Sequence, residues 1–330
     1  MFRQDRTNPS TAVSKWKGRR DSKKGWPSTA ISTWLNGGLF GSPVFTYSVS
    51  GGSGNTYTLD GVTYTSRKWT SGGSFTVLTQ SEPATTVDVF LIGGGAAGGA
   101  DGPGGGGGMG GQLEQTGVAF PVGTHSVSIG AGGAGTNQDD PGASGTGSSF
   151  GSLVTARIGG GGGGDGKSHP GVSGGDGADG GAGGGGGASG TPLYGPYGAG
   201  GTGSQGGDGA RGTTGILPYV GSYPDGGGGG GKEDGSIGAY TAGGMGGLGY
   251  ETQTYLDGVE THYGGGGGGG GQYAGGPAGG PGAAAGSGGG SASDATADGG
   301  GGGGAGSGND VFTAGDGAAG SCTIRWIAAA

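Results

Sequence analysis

Tyr263-Gly-Gly-Gly-Gly-Gly-Gly-Gly-Gly-Gln272-Tyr273 places eight glycines in a row, Gly264 to Gly271, between two aromatic residues. The theme recurs in Gly104–Gly108, Gly159–Gly164, Gly183–Gly187, Gly226–Gly231 and Gly299–Gly304, and glycine supplies 106 of the 330 residues. Glycine buries no side chain, and it loses more backbone freedom on folding than any other residue. A chain this rich in it either stays disordered or satisfies its backbone by an unusual route. Collagen needs glycine at every third position with abundant proline. Consecutive glycines with 14 prolines exclude it. A flexible Gly/Ser linker is the alternative, but linkers rarely recur between Tyr- and Ile-bearing segments. The remaining route is a bundle of polyglycine II helices, extended at about 3.1 Å per residue, with three residues per turn and no internal hydrogen bonds. Every N–H and C=O then points sideways and must find a partner on a neighbouring run. Only glycine permits so close an approach.

Composition narrows the class. The hydrophobic fraction is 29% and the charged fraction 12%, both low for a globular enzyme. The net charge of −8 is mild for a disordered chain. Cys322 stands alone, so no intrachain disulfide framework exists, and it reads as a buried spectator. No apolar segment resembles a signal peptide or is long enough to span a membrane as a helix. Synthesis in a cytoplasm, without membrane insertion, is the expectation. Charge is uneven. Residues 1–40 hold eight basic and two acidic residues, a net of +6; the remainder holds seven basic and 21 acidic, a net of −14. Such asymmetry points to two parts with different partners.

Three parts are expected. Residues 1–42 read as a docking segment, with Trp16, Lys17, Arg19, Arg20 and Trp26 in and beside a basic run, then Trp34 and Leu35 on a short helix. Ser28 would cap that helix and Gly37 end it. Docking on a protein partner, contact with nucleic acid and a solvated tail are the readings open here. Residues 43–158 read as a β-rich domain, with strands near 44–49, 56–59, 62–65, 74–79, 87–92, 112–120, 124–129 and 152–158. Gly-Gly, Asp-Gly and Glu-Pro turn signals separate several of them. The last strand, 321–327, would return beside an early one and close a small β-sandwich. The block 159–320 is then one long excursion, a polyglycine II bundle with irregular loops. The fold class is mainly β.

The order of several segments carries a resemblance. Trp69-Thr-Ser-Gly-Gly-Ser-Phe-Thr-Val is followed by Val87-Asp-Val-Phe-Leu-Ile-Gly-Gly-Gly-Ala-Ala-Gly-Gly, then Pro121-Val-Gly-Thr-His-Ser-Val-Ser-Ile-Gly. Ser148-Ser-Phe-Gly-Ser-Leu-Val follows, and the chain closes on Gly-Ser-Cys322-Thr-Ile-Arg-Trp. This resembles the glycine-rich domain of bacteriophage tail-fibre and receptor-binding proteins over about 60–327. The polyglycine block is similar to the tip adhesins of T-even-like phages, in which loops between glycine helices bind the host surface. The resemblance implies a virion protein of the tail fibre or tail tip. Residues 1–42 would dock on other virion proteins, and the ligand would be a host surface glycan or outer-membrane protein. It also implies a homo-oligomer, a trimer by analogy with tail fibres. The basic N-terminal segment departs from the adhesin pattern.

Motifs with chemistry are few. Gly161 to Gly166-Lys167-Ser168 matches a phosphate-binding loop in form, but His169-Pro170-Gly171 opposes the helix that motif needs. Gly174-Gly-Asp176-Gly-Ala-Asp179 partly matches a calcium nonapeptide without its tandem repeat; turns of Asp and Gly are the simpler reading. His125, His169 and His262 are scattered, without metal-ligand spacing. Neither catalytic residues nor a metal or other cofactor are expected, and the protein is not read as an enzyme. Tyrosine is the concentrated residue, at Tyr194, Tyr197, Tyr219, Tyr223, Tyr240, Tyr250, Tyr255, Tyr263 and Tyr273, between the glycine runs. A tyrosine offers a flat apolar face and a hydroxyl at low entropy cost, which suits recognition. The competing reading packs these rings on the bundle, and the competing function is a purely structural virion component.

Overall fold

Alternating Val, Phe, Thr and Tyr residues build short antiparallel strands before and after the first glycines. The computed structural model describes residues 45–80, 86–100, 104–136, 141–155, 174–188, 197–213, 226–230, 232–239, 242–251, 258–259, 262–271, 274–279, 283, 287, 291–296, 298–305 and 312–328. The chain divides into two compact units, Met1–Val44 and Phe45–Ala330, and every described residue belongs to the second. Trp16, Lys17, Arg19, Arg20, Trp26, Trp34 and Leu35 therefore lie outside the described residues, as do the expected short helix and the phosphate-loop-like match.

The strands are β1 (Phe45–Ser50), β2 (Ser53–Leu59), β3 (Val62–Trp69), β4 (Gly73–Gln80), β5 (Thr86–Ile92), β6 (Gln112–Ala119), β7 (Gly123–Ser128), β8 (Ser149–Phe150), β9 (Val154–Thr155), β10 (Leu248–Glu251), β11 (His262–Gly265) and β12 (Ser321–Ile327). They form two five-stranded sheets, β1-β4-β7-β8-β9 and β2-β3-β12-β5-β6, plus the β10-β11 pair. β2 and β3 are joined by Asp60-Gly61, both at positive φ (52° and 79°), the two-residue hairpin turn that matches strand twist. The returning strand closes the sandwich as expected. β12 lies between β3 and β5, with Cys322 opposite both Trp69 and Leu91. Its alternate residues Cys322, Ile324 and Trp326 point into the core with Val89 and Leu91 of β5. From the facing sheet come Phe75, Val77, Val127 and Phe150. Phe75 meets Trp326 edge-on at 5.5 Å between centroids, a favoured aromatic geometry. Outside the core, Arg325 Nε bonds Asp88 Oδ2 at 3.0 Å. The strand expected over 152–158 is shorter within the described part, the two residues of β9, because Gly151 at φ 56° turns the chain straight after β8.

Among the described residues, the glycine segments are extended and, apart from Gly264 and Gly265 of β11, belong to no named strand. Their hydrogen bonds follow a period of three. Gly93, Ala96 and Gly99 donate N–H to the carbonyls of Gly111, Gly108 and Gly105 (2.7, 2.9 and 2.8 Å). The residues between them serve other neighbours. Gly94 and Ala97 donate to Thr146 and Ala143, and Gly95 and Gly98 donate to Ala318 and Gly315. One run thus bonds three neighbours in three directions, as a threefold helix requires. The run 104–110 lies deeper still. It exchanges hydrogen bonds with 93–99, 182–185, 226–229, 267–270 and 299–305. Gly107 illustrates the spacing: a Cβ there would collide with the carbonyl oxygen of Ala96 and stand 2.7 Å from that of Ala97. The bundle also recruits 93–99, 130–136 and 141–146, which the sequence assigned to the β-rich part, and 312–320 joins it from within the glycine block. Ala96 and Ala97 in 93–99, and Ala305 at the end of 299–305, are fully buried, each at a place where a methyl fits.

A second apolar cluster joins bundle to sandwich. Phe90 and Ile92 of β5 pack with Met109, Ala182 and Tyr263, and the Phe90 and Tyr263 rings lie 5.1 Å apart. Lys68 sits over the Tyr263 ring and pairs with Asp298 at 2.9 Å.

At the bundle's surface, side chains stand in for missing neighbours. Asp176 Oδ1 accepts the Ala199 N–H while Gly177 N–H donates to the Ala199 carbonyl. Three residues on, Asp179 and Gly180 treat Thr202 the same way. Asp234 with Gly235 repeats this on Asp208, and Asp294 with Ala295 on Asp316. Ser291 with Ala292 does so on Thr313, through a hydroxyl. The aspartates of the partial calcium motif are thus lateral acceptors in a parallel pair of runs.

Three outcomes follow from this architecture. Gly107→Ala should lower stability by about 2–3 kcal/mol or block folding, because the obstacle is backbone. Gly72→Ala, whose added Cβ meets only the Val127 oxygen at 3.6 Å, should be nearly neutral in the same thermal melts. Asp179→Ala should cost about 1 kcal/mol and Asp179→Asn, which keeps an acceptor, distinctly less. Burial pushes the Cys322 thiol far up from its ordinary pKa by desolvation. Ellman's reagent should therefore modify it only on unfolding, and rapid reaction of the native protein would contradict the packing of β12.

Candidate functional site

The hydrogen-bond register of the bundle sorts its chain reversals into two poles. One pole adjoins the sandwich, where Gly93 bonds Gly111, Gly110 bonds Gly299 and Gly320 bonds Gly130. The other is marked by Gly99 bonding Gly105, Gly104 bonding Ala305 and Gly270 bonding Gly104. At this distal level Gly226 donates to Gly186, Gly212 to Gly198 and Gly198 to Gly187. Gly243 donates to Ala274 there, and Gly271 to Ser287.

Several tyrosine-bearing connections are anchored at that distal pole. The runs ending at Ala188 and restarting at Tyr197 bound the segment that holds Tyr194. Those ending at Thr213 and restarting at Gly226 bound Tyr219 and Tyr223. Ala239 and Ala242, hydrogen-bonded to each other at 2.8 Å, bound Tyr240. Gly271 and Ala274 bound Tyr273. These five tyrosines lie outside the described residues, as does Tyr255. What the described runs fix is where their segments leave and return.

Tyr197 is described, and it is exposed at 39%. Its ring carries the Arg211 guanidinium, 4.5 Å from the ring centroid. The two residues sit on antiparallel neighbours, brought level by the bonds between Gly209 and Gly201 and between Gly212 and Gly198.

Two candidates part from this group. Tyr263 is 2% exposed within the second apolar cluster, so it packs the bundle onto β5 and is closed to a receptor. The reason is its place on β11, where Gly264 (φ 58°) turns the chain against Met109. Tyr250 lies opposite it on β10, at the sandwich-side pole. His125, on β7, hydrogen-bonds the Pro121 carbonyl at 2.9 Å and packs tilted against the Phe120 ring, a structural role. Among the described residues no cluster of His, Cys, Asp and Glu is arranged to hold a metal ion.

The Tyr197–Arg211 pair was not legible beforehand. Its members are fourteen residues apart in sequence, and only the bundle register makes them neighbours.

The glycine-rich domain family matches residues 69–327, and the chain belongs to that family. No curated protein matches it.

Proposed function

We propose that this protein is a phage tail-fibre or tail-tip adhesin that binds a host surface receptor through the connections at the distal pole. Polarity carries the proposal. The described unit begins at Phe45, whose ring packs 6.5 Å from Trp326, five residues beyond the point where β12 leaves the bundle. Phe45 therefore stands at the sandwich end remote from the glycines, while Tyr197 and the described run ends that bound the segments holding Tyr194, Tyr219, Tyr223, Tyr240 and Tyr273 stand at the opposite pole. An attachment protein needs this arrangement, with one end for the virion and the other for the cell. A rigid bundle would also preorganise the connections and limit the entropy lost on binding. The resemblance to tail-fibre glycine-rich domains agrees with it. In this reading residues 1–42 dock on other virion proteins.

The labelled full chain should bind intact host cells saturably and fail on receptor-deficient resistant mutants. A combined Tyr197→Ala, Tyr219→Ala, Tyr223→Ala and Tyr240→Ala variant should bind at least about tenfold more weakly with an unchanged melting temperature, since truncating even one interface hot spot, a class enriched in tyrosine, costs about 2 kcal/mol or more. Tyr263→Ala should instead lower stability by about 3 kcal/mol. A folded parent protein that binds no cells would favour a purely structural virion component.

A further inference from the structure

The distal pole holds a cation whose donors are unused among the described residues. Arg211 is exposed, and its only described contact is the Tyr197 ring. It makes no ion pair or hydrogen bond among the described residues. Asp176, on the adjacent run, accepts the Ala199 N–H at 2.8 Å and makes no ion pair with it. A guanidinium carries five N–H donors in a planar fork that matches a carboxylate bidentately. Stacking over an aromatic ring orients that fork without occupying its in-plane donors. Tyr197 adds an exposed apolar surface beside it, suited to the C–H face of a pyranose. The chain outside residues 1–40 has a net charge of −14, so its long-range field repels polyanions. The pair would select by contact, for a single carboxylate held next to an apolar ring face.

We infer that Tyr197 and Arg211 form a subsite for an acidic sugar, with the sugar carboxylate accepting two N–H bonds from Arg211 and the ring packing on Tyr197. The inference rests on the adhesion reading above and names its ligand class as a carboxylate-bearing glycan.

The full chain, with nitrogen-15 in its arginines, is titrated with D-glucuronate, D-glucose and acetate. The Arg211 side-chain signal is identified by its loss in R211Q. It should shift saturably with glucuronate, at least tenfold more weakly with acetate, and not with glucose. Tyr197→Ala should weaken glucuronate at least tenfold. Arg211→Lys, which keeps charge but loses the fork, should weaken it several-fold. Absence of a saturable shift, or equal response to acetate, would overturn the subsite. Cell binding separates the two ideas. R211Q losing both glucuronate and cell binding supports the subsite. R211Q binding cells like the parent, while Tyr219→Ala with Tyr223→Ala does not, overturns the acidic-glycan ligand and leaves adhesion through a protein receptor standing.

Discussion

The lateral hydrogen bond between glycine backbones is the constraint on which this structure depends. An extended threefold run has no internal hydrogen bonds, so each of its polar groups is an obligation to a neighbour. The run 93–99 meets that obligation in three directions. Because carbonyls then stand where a Cβ would be, side chains are excluded at most positions where runs meet. Apolar burial contributes little inside the bundle, since its interior offers only alanine methyls and the Met109 side chain. Stability there is spread over many bonds, each worth about 1 kcal/mol net.

Such a lattice needs boundaries. On one side the sandwich supplies them: β5 and β12 run directly into and out of glycine runs, and Phe90, Ile92 and Tyr263 seal the junction. On the free surface, Asp176, Asp179, Asp234, Asp294 and Ser291 replace absent backbone acceptors. At the distal pole the boundary is the set of connections. Among the described residues, Tyr197 and Arg211 stand at that level, side chains of a size the glycine contacts do not admit.

How much of this was legible in the sequence depends on which signal each part used. The apolar run of Val87–Ile92 and the alternation of Ser321–Ile327 announced these strands, and the structure shows Cys322, Ile324 and Trp326 of the last one turned into the core. Runs of glycine announced the bundle. Its full extent did not emerge, because Gly93–Gly99 and Gly130–Gly135 mix alanine and glycine without long runs. Pairings between runs were invisible for a physical reason. Backbone hydrogen bonds between glycines carry no side-chain code, so nothing in the sequence distinguishes a partner 22 residues away from one 200 away. Tyr263 was misplaced among surface tyrosines for the same cause, since its burial depends on Met109 and Phe90, brought to it by that register.

Amide hydrogen exchange tests the lateral bonding most directly. Gly93, Ala96, Gly99, Gly104, Gly107 and Gly302 should exchange only through global unfolding, with protection matching the sandwich amides of β5 and β12. Exchange of these amides at the rate of an unstructured glycine chain, while β5 and β12 stay protected, would contradict a hydrogen-bonded bundle.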